Sequence, residues 1–540
     1  MSQAHTLILP IVLPLMTGAW LVLIERRCPR LAPWLAGTSV LAGLLVAMLL
    51  LNQARGNEVQ AYLLGNWAAP FGIALALDRL SAMMVLLTSL LGCATLLYAS
   101  AGDAGRGRHF YSLFQFQLMG LNGAFLTADL FNLFVFFEVL LIASYGLVLH
   151  GAGVARLRAA VHYVSFNLAG SALFLVAASL LYGLTGTLNM ADLAQRVEAL
   201  GADRNPLLQS AGLLLIVVFS VKAALLPLYF WLPATYGAAS APVAALFAIM
   251  TKVGIYAILR VNTLIFGDAA GTVAWVTSPW LEVIALGTLL LGAVGALAAT
   301  NLRMLIGNTV IASAGTLLLA GGLARPDAVA AGLFYLVDST LVVAALFLLA
   351  DRLRHDRGSR GDDFQPAGTA TAGLGLGLVF LILAVASAGV PPLAGFLGKA
   401  MLLQAAGQVQ FGGAVVATIL FSSFLMMVAF ARSGSMLFWT SASTQTPEPD
   451  PGHRPGATKT LPGAAATRWQ HQASLAFLLG LIAACSVLAG PLSRYTEAAA
   501  KQLFERTAYI DAVLKTQPVP AAIDVRREMR ERKVKGEQGS

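Results

Sequence analysis

Long runs of mostly apolar residues follow one another along the chain, and they constrain its fold more than any other feature. Only 11% of the 540 residues are charged and 58% are hydrophobic, whereas soluble domains carry roughly 25% charged residues. A helix that crosses the hydrocarbon core of a bilayer needs about 20 such residues, so we predict an all-α integral membrane protein with about 14 transmembrane spans. The runs lie at 6–24, 32–51, 79–99, 111–128, 130–149, 159–185, 208–233, 242–263, 273–299, 304–323, 328–350, 372–408, 413–438 and 472–490.

Arginines between the runs predict which ends of the helices face the cytoplasm. The loops after spans 1, 3, 5, 9, 11 and 13 carry most of them, for example Arg26, Arg27 and Arg30. Loops rich in arginine and lysine stay on the cytoplasmic side, so the N-terminus is expected outside. An even number of spans places the C-terminus outside as well. The net charge of +9 is therefore assigned to membrane orientation, and no nucleic-acid partner is predicted.

Two breaks that contain proline suggest an internal repeat. Pro227 interrupts span 7, and Pro391 and Pro392 interrupt span 12. As one straight helix, span 12 would be ~55 Å long, against a hydrocarbon core of ~30 Å. Broken helices at membrane depth mark ion sites in transporters that are built from inverted repeats. Because the breaks lie five spans apart, we predict two inverted five-helix repeats, spans 4–8 and 9–13.

This pattern divides the chain into six parts. The predicted parts are the first three helices (1–110), the two five-helix units (111–263 and 273–438), a disordered proline-rich linker (439–470), the last transmembrane helix (472–490), and an amphipathic helix with a basic tail (491–540).

The placement of lysine points to the chemistry of the protein. The first 400 residues contain only three lysines, Lys222, Lys252 and Lys399, and all of them lie inside apolar runs. Glu138 lies in a similar setting, within Leu-Phe-Val-Phe-Phe-Glu138-Val-Leu-Leu-Ile. An ionisable group at the centre of a bilayer costs at least ~2.5–3.5 kcal/mol, so a functional role is the default interpretation.

Lysine suits a site that gains and loses a proton. In a site of low dielectric constant a lysine can release its proton near neutral pH, whereas an arginine stays charged. We predict that Glu138 pairs with Lys222 and stabilises its ammonium group. At an effective dielectric constant of about 20, opposite charges ~4 Å apart attract by about 4 kcal/mol. The alternative is a static ion pair that fixes helix packing, with Lys252 extending toward the headgroups.

Two further polar residues are candidates for a proton relay. Asp338 lies in an apolar run with nothing nearby in sequence to neutralise it. His162 is predicted to share a face of span 6 with Asn167 and Ser171, where the three would hydrate a channel or form hydrogen bonds between helices. The chain has no Walker loop, dinucleotide fingerprint, CxxC or HExxH motif, and its three cysteines are scattered. We therefore predict no cofactor, no metal and no enzymatic reaction.

Two stretches around the lysines resemble a known family. They read Lys222-Ala-Ala-Leu-Leu-Pro-Leu-Tyr-Phe-Trp-Leu-Pro233 and Thr251-Lys252-Val-Gly-Ile-Tyr-Ala-Ile-Leu-Arg260. They are similar to the proton-translocating antiporter-like subunits of respiratory complex I and of multisubunit Mrp (Mnh, Pha) cation/proton antiporters. The D subunit of the antiporters is favoured because complex I relatives usually read Phe-His where this chain has Leu228-Tyr229. The stretch that begins Tyr62-Leu-Leu-Gly-Asn-Trp also looks like the D subunit.

The resemblance implies a function, a location and partners. It implies that Glu138, Lys222, Lys252 and Lys399 carry protons in one subunit of a Na+ or K+/proton antiporter. The proton-motive force would drive exchange across the bacterial cytoplasmic (inner) membrane, with other subunits as partners. Relatives often carry histidine at the position of Asp338. Two alternatives stay open: a proton-pumping subunit of a complex I-like oxidoreductase or membrane hydrogenase, and a chain that only scaffolds the assembly.

Overall fold

A computed structural model describes residues 3–56, 58–201, 205–365, 374–408, 412–439 and 464–519. Most of the predicted linker and the basic tail lie outside the described residues. Ala464 already begins a helix, eight residues before the predicted start of the last span.

Helices make up almost the whole described structure. They are α1 (Leu9–Ile24), α2 (Ala32–Gln53), α3 (Arg79–Ser100), α4 (Phe110–Leu126), α5 (Leu130–Leu149), α6 (Val154–Thr185), α7 (Met190–Leu200), α8 (Pro206–Ala223), α9 (Trp231–Ala238), α10 (Ala241–Phe247), α11 (Met250–Leu264), α12 (Ser278–Ala298), α13 (Leu302–Gly322), α14 (Pro326–Arg357), α15 (Leu374–Ala388), α16 (Ala394–Ala406), α17 (Gly412–Gly434), α18 (Ala464–Val487), α19 (Ala489–Phe504) and α20 (Arg506–Lys515). Short 3-10 turns lie at Gln3–Ile8, Leu64–Asn66, Asp103–Arg106, Asp268–Val273 and Gly358–Arg360, and a π-helical turn at Ser435–Trp439.

The helices confirm the predicted class, an all-α protein that crosses a membrane many times. Among the described residues, 12 helical segments are long and apolar enough to span a bilayer. Two predicted spans are not among them. Span 4 is α4, with only 17 residues, and span 12 is divided into α15 and α16. The count of 14 spans and the inverted relation of the two five-helix units remain predictions.

The chain leaves the helical conformation at both places where proline interrupts an apolar run. In span 7, α8 ends at Ala223 and α9 begins at Trp231, with Pro227 between them. In span 12, α15 ends at Ala388 and α16 begins at Ala394, with Pro391 and Pro392 between them. Proline has no backbone N–H to continue the helical hydrogen bonds, and its ring clashes with the preceding turn.

A β-hairpin between α2 and α3 is an element that the sequence analysis missed. Strand β1 (Gln60–Leu63) pairs antiparallel with β2 (Ala74–Leu77), and Gln60 lies opposite Leu77. Four residues per strand are too few to show a clear alternation, so the hairpin could not be separated from a loop.

The C-terminal helices α19 and α20 pack across one end of the bundle, beside the hairpin and α7. Helix α19 is amphipathic, and the two helices bury Leu503, Ile510 and Val513. The side chain of Asn66 forms two hydrogen bonds of 2.7 Å with the backbone of Val519. Near the other terminus, His5 contacts Tyr62 of β1. Both ends of the described chain therefore lie on the same face, as an even number of crossings requires.

Candidate functional site

Lys222 and Glu138 meet at one hydroxyl group, that of Ser171. Lys222 lies at the end of α8 and is 7% exposed. Its Nζ donates to Ser171 Oγ (3.1 Å) and to the carbonyl oxygen of Asn167 (3.3 Å). Ser171 Oγ donates to Glu138 Oε1. The Lys222 ammonium also lies 5.9 Å from the centre of the Phe137 ring, which is within cation–π range.

The predicted pair between Glu138 and Lys222 is therefore joined through a hydroxyl rather than by direct contact. Ser171 has a single hydroxyl hydrogen and two acceptors for it, Glu138 Oε1 and the Asn167 carbonyl oxygen at 3.0 Å. A hydroxyl that accepts from an ammonium and donates to a carboxylate can pass a proton between them, because it both donates and accepts hydrogen bonds.

Lys252 is completely enclosed by protein. It lies in the first turn of α11, just after the chain breaks between α10 and α11, and it is 0% exposed. Its Nζ has no hydrogen-bond partner among the described residues. The alternative in which Lys252 extends to the headgroups is therefore wrong. A buried ammonium without a partner is costly, so a positive charge on Lys252 is poorly tolerated.

Lys399 lies at the second helix break. Its Nζ donates to the carbonyl oxygen of Ala388 (2.9 Å), the last residue of α15, and to Ser423 Oγ of α17 (2.9 Å). The C-terminal end of a helix carries partial negative charge, so the broken helix offers the ammonium an acceptor that a continuous helix would have used internally.

Asp338 is the acid that interacts electrostatically with Lys399. It lies on α14 and is 1% exposed, and its Oδ1 has no hydrogen-bond partner among the described residues. Gly395 allows α16 to approach the Asp338 carboxylate closely, because a Cβ at Gly395 would lie 3.0 Å from Asp338 Oδ2. Asp338 also borders a small polar cavity with Thr309, Ser313 and Ser387.

The helices that carry these side chains form a continuous row across the bundle. Helix α5 packs against α6, α6 against α8, and α8 against α11. Helix α11 packs against α13, α13 against α14, and α14 against α16. The helices that carry the ionisable residues therefore follow one another across the bundle, with Glu138 on the first, then Lys222, Lys252, Asp338 and Lys399.

His162 is not brought to this row. It is exposed on the outer face of α6, and its Nδ1 lies 3.1 Å from the carbonyl oxygen of Arg158. Asn167 and Ser171 are buried and contact Lys222. The five residues from His162 to Asn167 turn an α-helix by about 140° net, and the four from Asn167 to Ser171 turn it by about 40° net. Only Asn167 and Ser171 therefore share a face.

Two contributors could not be found from the sequence. Ser423 lies in an apolar run where serines commonly bond to their own helix, and the free carbonyl group of Ala388 exists only because the helix ends there. Among the described residues, no group of three His, Cys, Asp or Glu side chains is placed to hold a metal ion.

Comparison with known proteins decides the family. The family described as NADH:quinone oxidoreductase/Mrp antiporter, TM, matches residues 127–427, more than half of the chain. The chain belongs to this family. The matched region contains the whole row from Glu138 to Lys399.

Within the antiporter family, two curated relatives are similar over nearly their whole length. One is the probable K(+)/H(+) antiporter D subunit of Rhizobium meliloti (strain 1021), 41% identical over 94% of this chain and 97% of the relative. The other is the Na(+)/H(+) antiporter D subunit of Bacillus subtilis (strain 168), 35% identical over 94% of this chain and 99% of the relative. Both names agree with the branch of the family that the sequence predicts.

Two solved structures share the fold. A chain of the Mrp complex from Dietzia sp. DQ12-45-1b is similar with a TM-score of 0.83 and 29% identity, over 95% of this chain and 100% of that chain. A chain of the membrane-bound sulfane sulfur reductase, an archaeal respiratory membrane complex, is similar with a TM-score of 0.82 and 26% identity, over 95% and 100%.

Proposed function

We propose that this chain is the proton-translocating subunit of a multisubunit antiporter that exchanges Na+ or K+ for protons under the proton-motive force. It would work in the bacterial cytoplasmic membrane together with other subunits. The observation that carries the proposal is three buried lysines and a buried aspartate on helices of one row, with Lys222 and Lys399 at the two helix breaks. The names of the relatives, a K+/H+ and a Na+/H+ antiporter subunit, support both the exchange and the presence of partners.

At the first break, Ser171 connects the proton carriers. Lys222 Nζ would give a proton to Ser171 Oγ, while the hydroxyl hydrogen of Ser171 moves to Glu138 Oε1. The contacts that this step needs are present, since Ser171 accepts from Lys222 and donates to Glu138. Reversal of both transfers restores the ammonium and the carboxylate.

Lys252 would pass protons between the two breaks. Helix α11, which carries Lys252, packs against α8, which carries Lys222, and against α13, which packs on the helix of Asp338. Because its ammonium has no stabilising acceptor among the described residues, it would hold the proton only in transit.

At the second break, Lys399 would exchange protons with one aqueous side. Asp338, in place of the histidine common in relatives, would stabilise the Lys399 ammonium and accept its proton. We assign the path of the Na+ or K+ ion to the assembled complex, because the row described here consists chiefly of proton carriers.

The competing function is that of a proton-pumping subunit in an oxidoreductase. The likeness to the sulfane sulfur reductase chain supports this function. The sequence identity to that chain is 26%, however, whereas the identity to the K(+)/H(+) antiporter relative is 41%. Neighbouring genes for small antiporter subunits would favour exchange, whereas genes for quinone-binding and iron–sulfur subunits would favour the oxidoreductase.

Cation-dependent proton flux in vesicles that hold the whole assembly tests the proposal. Lys222→Ala, Lys252→Ala and Lys399→Ala are each expected to lower the flux by at least ~10-fold, as loss of a positioned proton carrier does. Lys501→Ala is the matched control, because Lys501 is exposed on α19. Wild-type flux in the three buried variants, with the complex intact, would leave only a scaffolding role.

A further inference from the structure

A deep apolar groove opens on one side of the bundle. It lies between α2, α3 and α18 and has a volume of ≈ 710 Å³. Its walls are almost entirely apolar, and residues of all three helices line it, among them Leu41, Leu44, Leu97 and Phe477. The thiol-bearing residue Cys93 also lines it.

The groove extends over one half of a membrane. Its mouth lies near the start of α2 at Pro33 and the end of α3 at Ser100, with Trp469 in the first part of α18. Along α2 the lining continues to Leu44, 11 residues deeper. At 1.5 Å per residue this is about 17 Å, roughly half of the ~30 Å hydrocarbon core. The groove therefore matches one leaflet.

The mouth carries the features of a membrane interface. Trp34 is 75% exposed and Trp469 is 55% exposed, and tryptophan is enriched at the level of the headgroups. Arg26, Arg27 and Arg30 lie in the turn just before α2 and are exposed. None of the three forms an ion pair within 4 Å with a described residue. Cations beside a cytoplasmic leaflet attract anionic lipids.

We propose that this groove binds an anionic glycerophospholipid of the arginine-rich leaflet. An acyl chain would fill the groove between α2 and α18, Trp34 and Trp469 would flank the glycerol region, and the headgroup would lie against the arginines of the preceding turn. A transmembrane helix of a partner fits less well, because it would continue along α2 past Leu44, where the cavity ends. The arginines at the mouth would also attract an anionic headgroup, which a transmembrane helix does not provide.

The bound lipid would hold α18 against the rest of the bundle. Within the described residues of α18, the side chain of Ser474 donates to the carbonyl oxygen of Ala94 on α3, next to the groove. The acyl chain would add to the direct packing of α18 on α3 and α14. The inference does not depend on which ion the assembly moves.

Cys93 provides a built-in probe of occupancy. We would replace Cys28, which is exposed, and Cys485 by alanine, purify the whole assembly in detergent, remove bound lipid, and measure the rate at which N-ethylmaleimide labels Cys93. Added phosphatidylglycerol is expected to slow labelling, and phosphatidylcholine to slow it less.

Three variants separate the groove from the headgroup site. Gly37→Phe is expected to slow labelling without any lipid, because a Cβ at Gly37 meets open space and the ring would fill the groove. Arg30→Gln should weaken the apparent affinity for phosphatidylglycerol about fivefold, the contribution of one basic residue near an anionic surface. Arg158→Gln, an exposed arginine on α6, should leave the affinity unchanged.

Three outcomes would overturn the proposal. Equal protection by both lipids would show that no anionic headgroup is recognised. An unchanged labelling rate with either lipid would show that the groove stays empty. Protection of Cys93 in the assembly after complete removal of lipid would show that a partner protein fills the groove.

Discussion

At the scale of single residues, the unexpected feature is that two charged groups share one serine. The sequence predicts that Lys222 and Glu138 attract each other directly, but Ser171 stands between them. A hydroxyl that separates the charges weakens their attraction and at the same time offers a path for the proton. Ser171 is therefore expected to affect the rate of transfer more than the stability of the fold.

Ser171→Ala should lower cation-dependent proton flux by at least ~10-fold, since a methyl group can neither accept nor donate a proton. The protein should still assemble, because the change only removes the hydroxyl. Ser165→Ala on the same helix is the control, as Ser165 is exposed and donates to the carbonyl oxygen of Val161 in its own helix. Unchanged flux in Ser171→Ala would place the proton path elsewhere, and equal loss in both variants would indicate a general defect of α6.

The lysines could be predicted from the sequence, whereas their partners could not. A lysine inside an apolar run is conspicuous because burial of its charge is costly. The bridging role of Ser171 depends on how α5, α6 and α8 pack, which no local pattern specifies. The error at His162 has a local cause, since nine residues turn a helix by about 180° net and place His162 opposite Ser171.

At the scale of elements, the second helix break provides a ligand for the buried ammonium group of Lys399. The break after α15 frees the Ala388 carbonyl for Lys399, and Gly389 makes room for the lysine side chain. Gly389 has a φ of +73°, and a Cβ there would lie 2.6 Å from Lys399 Cδ. The proline positions predict where the chain breaks, but not which atoms the break exposes.

Gly389→Ala should therefore impair proton flux almost as much as Lys399→Ala. The added methyl group would displace the lysine, and the left-handed backbone conformation would be strained. Gly375→Ala in α15 is the matched control, because a Cβ at Gly375 would meet no described atom within 4 Å. Wild-type flux in Gly389→Ala would show that Lys399 need not contact Ala388.

A second element-scale feature is the buried ion pair at the start of α3. Asp78 caps α3 through Ser81 and lies 2.6 Å from Arg260, the guanidinium of which lies over the rings of Tyr256 and Tyr509. Burial alone would raise the pKa of Asp78, but the Arg260 charge and the hydrogen bonds from Arg260 and Ser81 hold this pKa below its usual value.

Asp78→Asn should destabilise the protein by about 3–5 kcal/mol, because it leaves Arg260 buried without a counter-charge. Since the folded-state pKa of Asp78 is lowered, its contribution is present at neutral pH and disappears as the pH falls through that pKa. Thermal unfolding in detergent at neutral and acidic pH measures both effects. Asp327→Asn, which breaks an exposed pair with Arg325, should change little. A pH-independent difference would contradict the role of the ion pair.

At the scale of the whole molecule, α19 and α20 lie at the end opposite the arginine-rich loops. The described residues near both termini contact the β-hairpin on that face. Cys28, in the turn between α1 and α2, lies at the other end of the bundle. The orientation predicted from the loop arginines can therefore be tested at two positions, Cys28 at one end and Lys515 at the other.

Membrane-impermeant maleimide should label Cys28 only from the cytoplasmic side. In a variant with Lys515→Cys and Cys28→Ala, it should label residue 515 only from the outside, because Lys515 is 74% exposed at the end of α20. Right-side-out and inverted vesicles provide the comparison. Labelling of both positions from one side would contradict the arrangement of the described chain.

Most of the architecture follows from the sequence because the bilayer fixes how long an apolar helix must be. Most span ends could be located to within about five residues, but α14 ends seven residues past its predicted end and α18 begins eight residues before its predicted start. The runs of spans 7, 8 and 12 each divide into two helices. The β-hairpin and the docking of α20 on Arg260 depend on contacts between distant segments, so they could only be seen in three dimensions.

The isolated amine of Lys252 has an electrical consequence. An open file of water through the bundle would let hydrogen ions run down their gradient without doing work. If the Lys252 amine disfavours a positive charge, protons would cross it one at a time, each only when a neighbouring group can accept it. Because Lys252 lacks a partner within the described chain, it would thus protect the membrane against short-circuit.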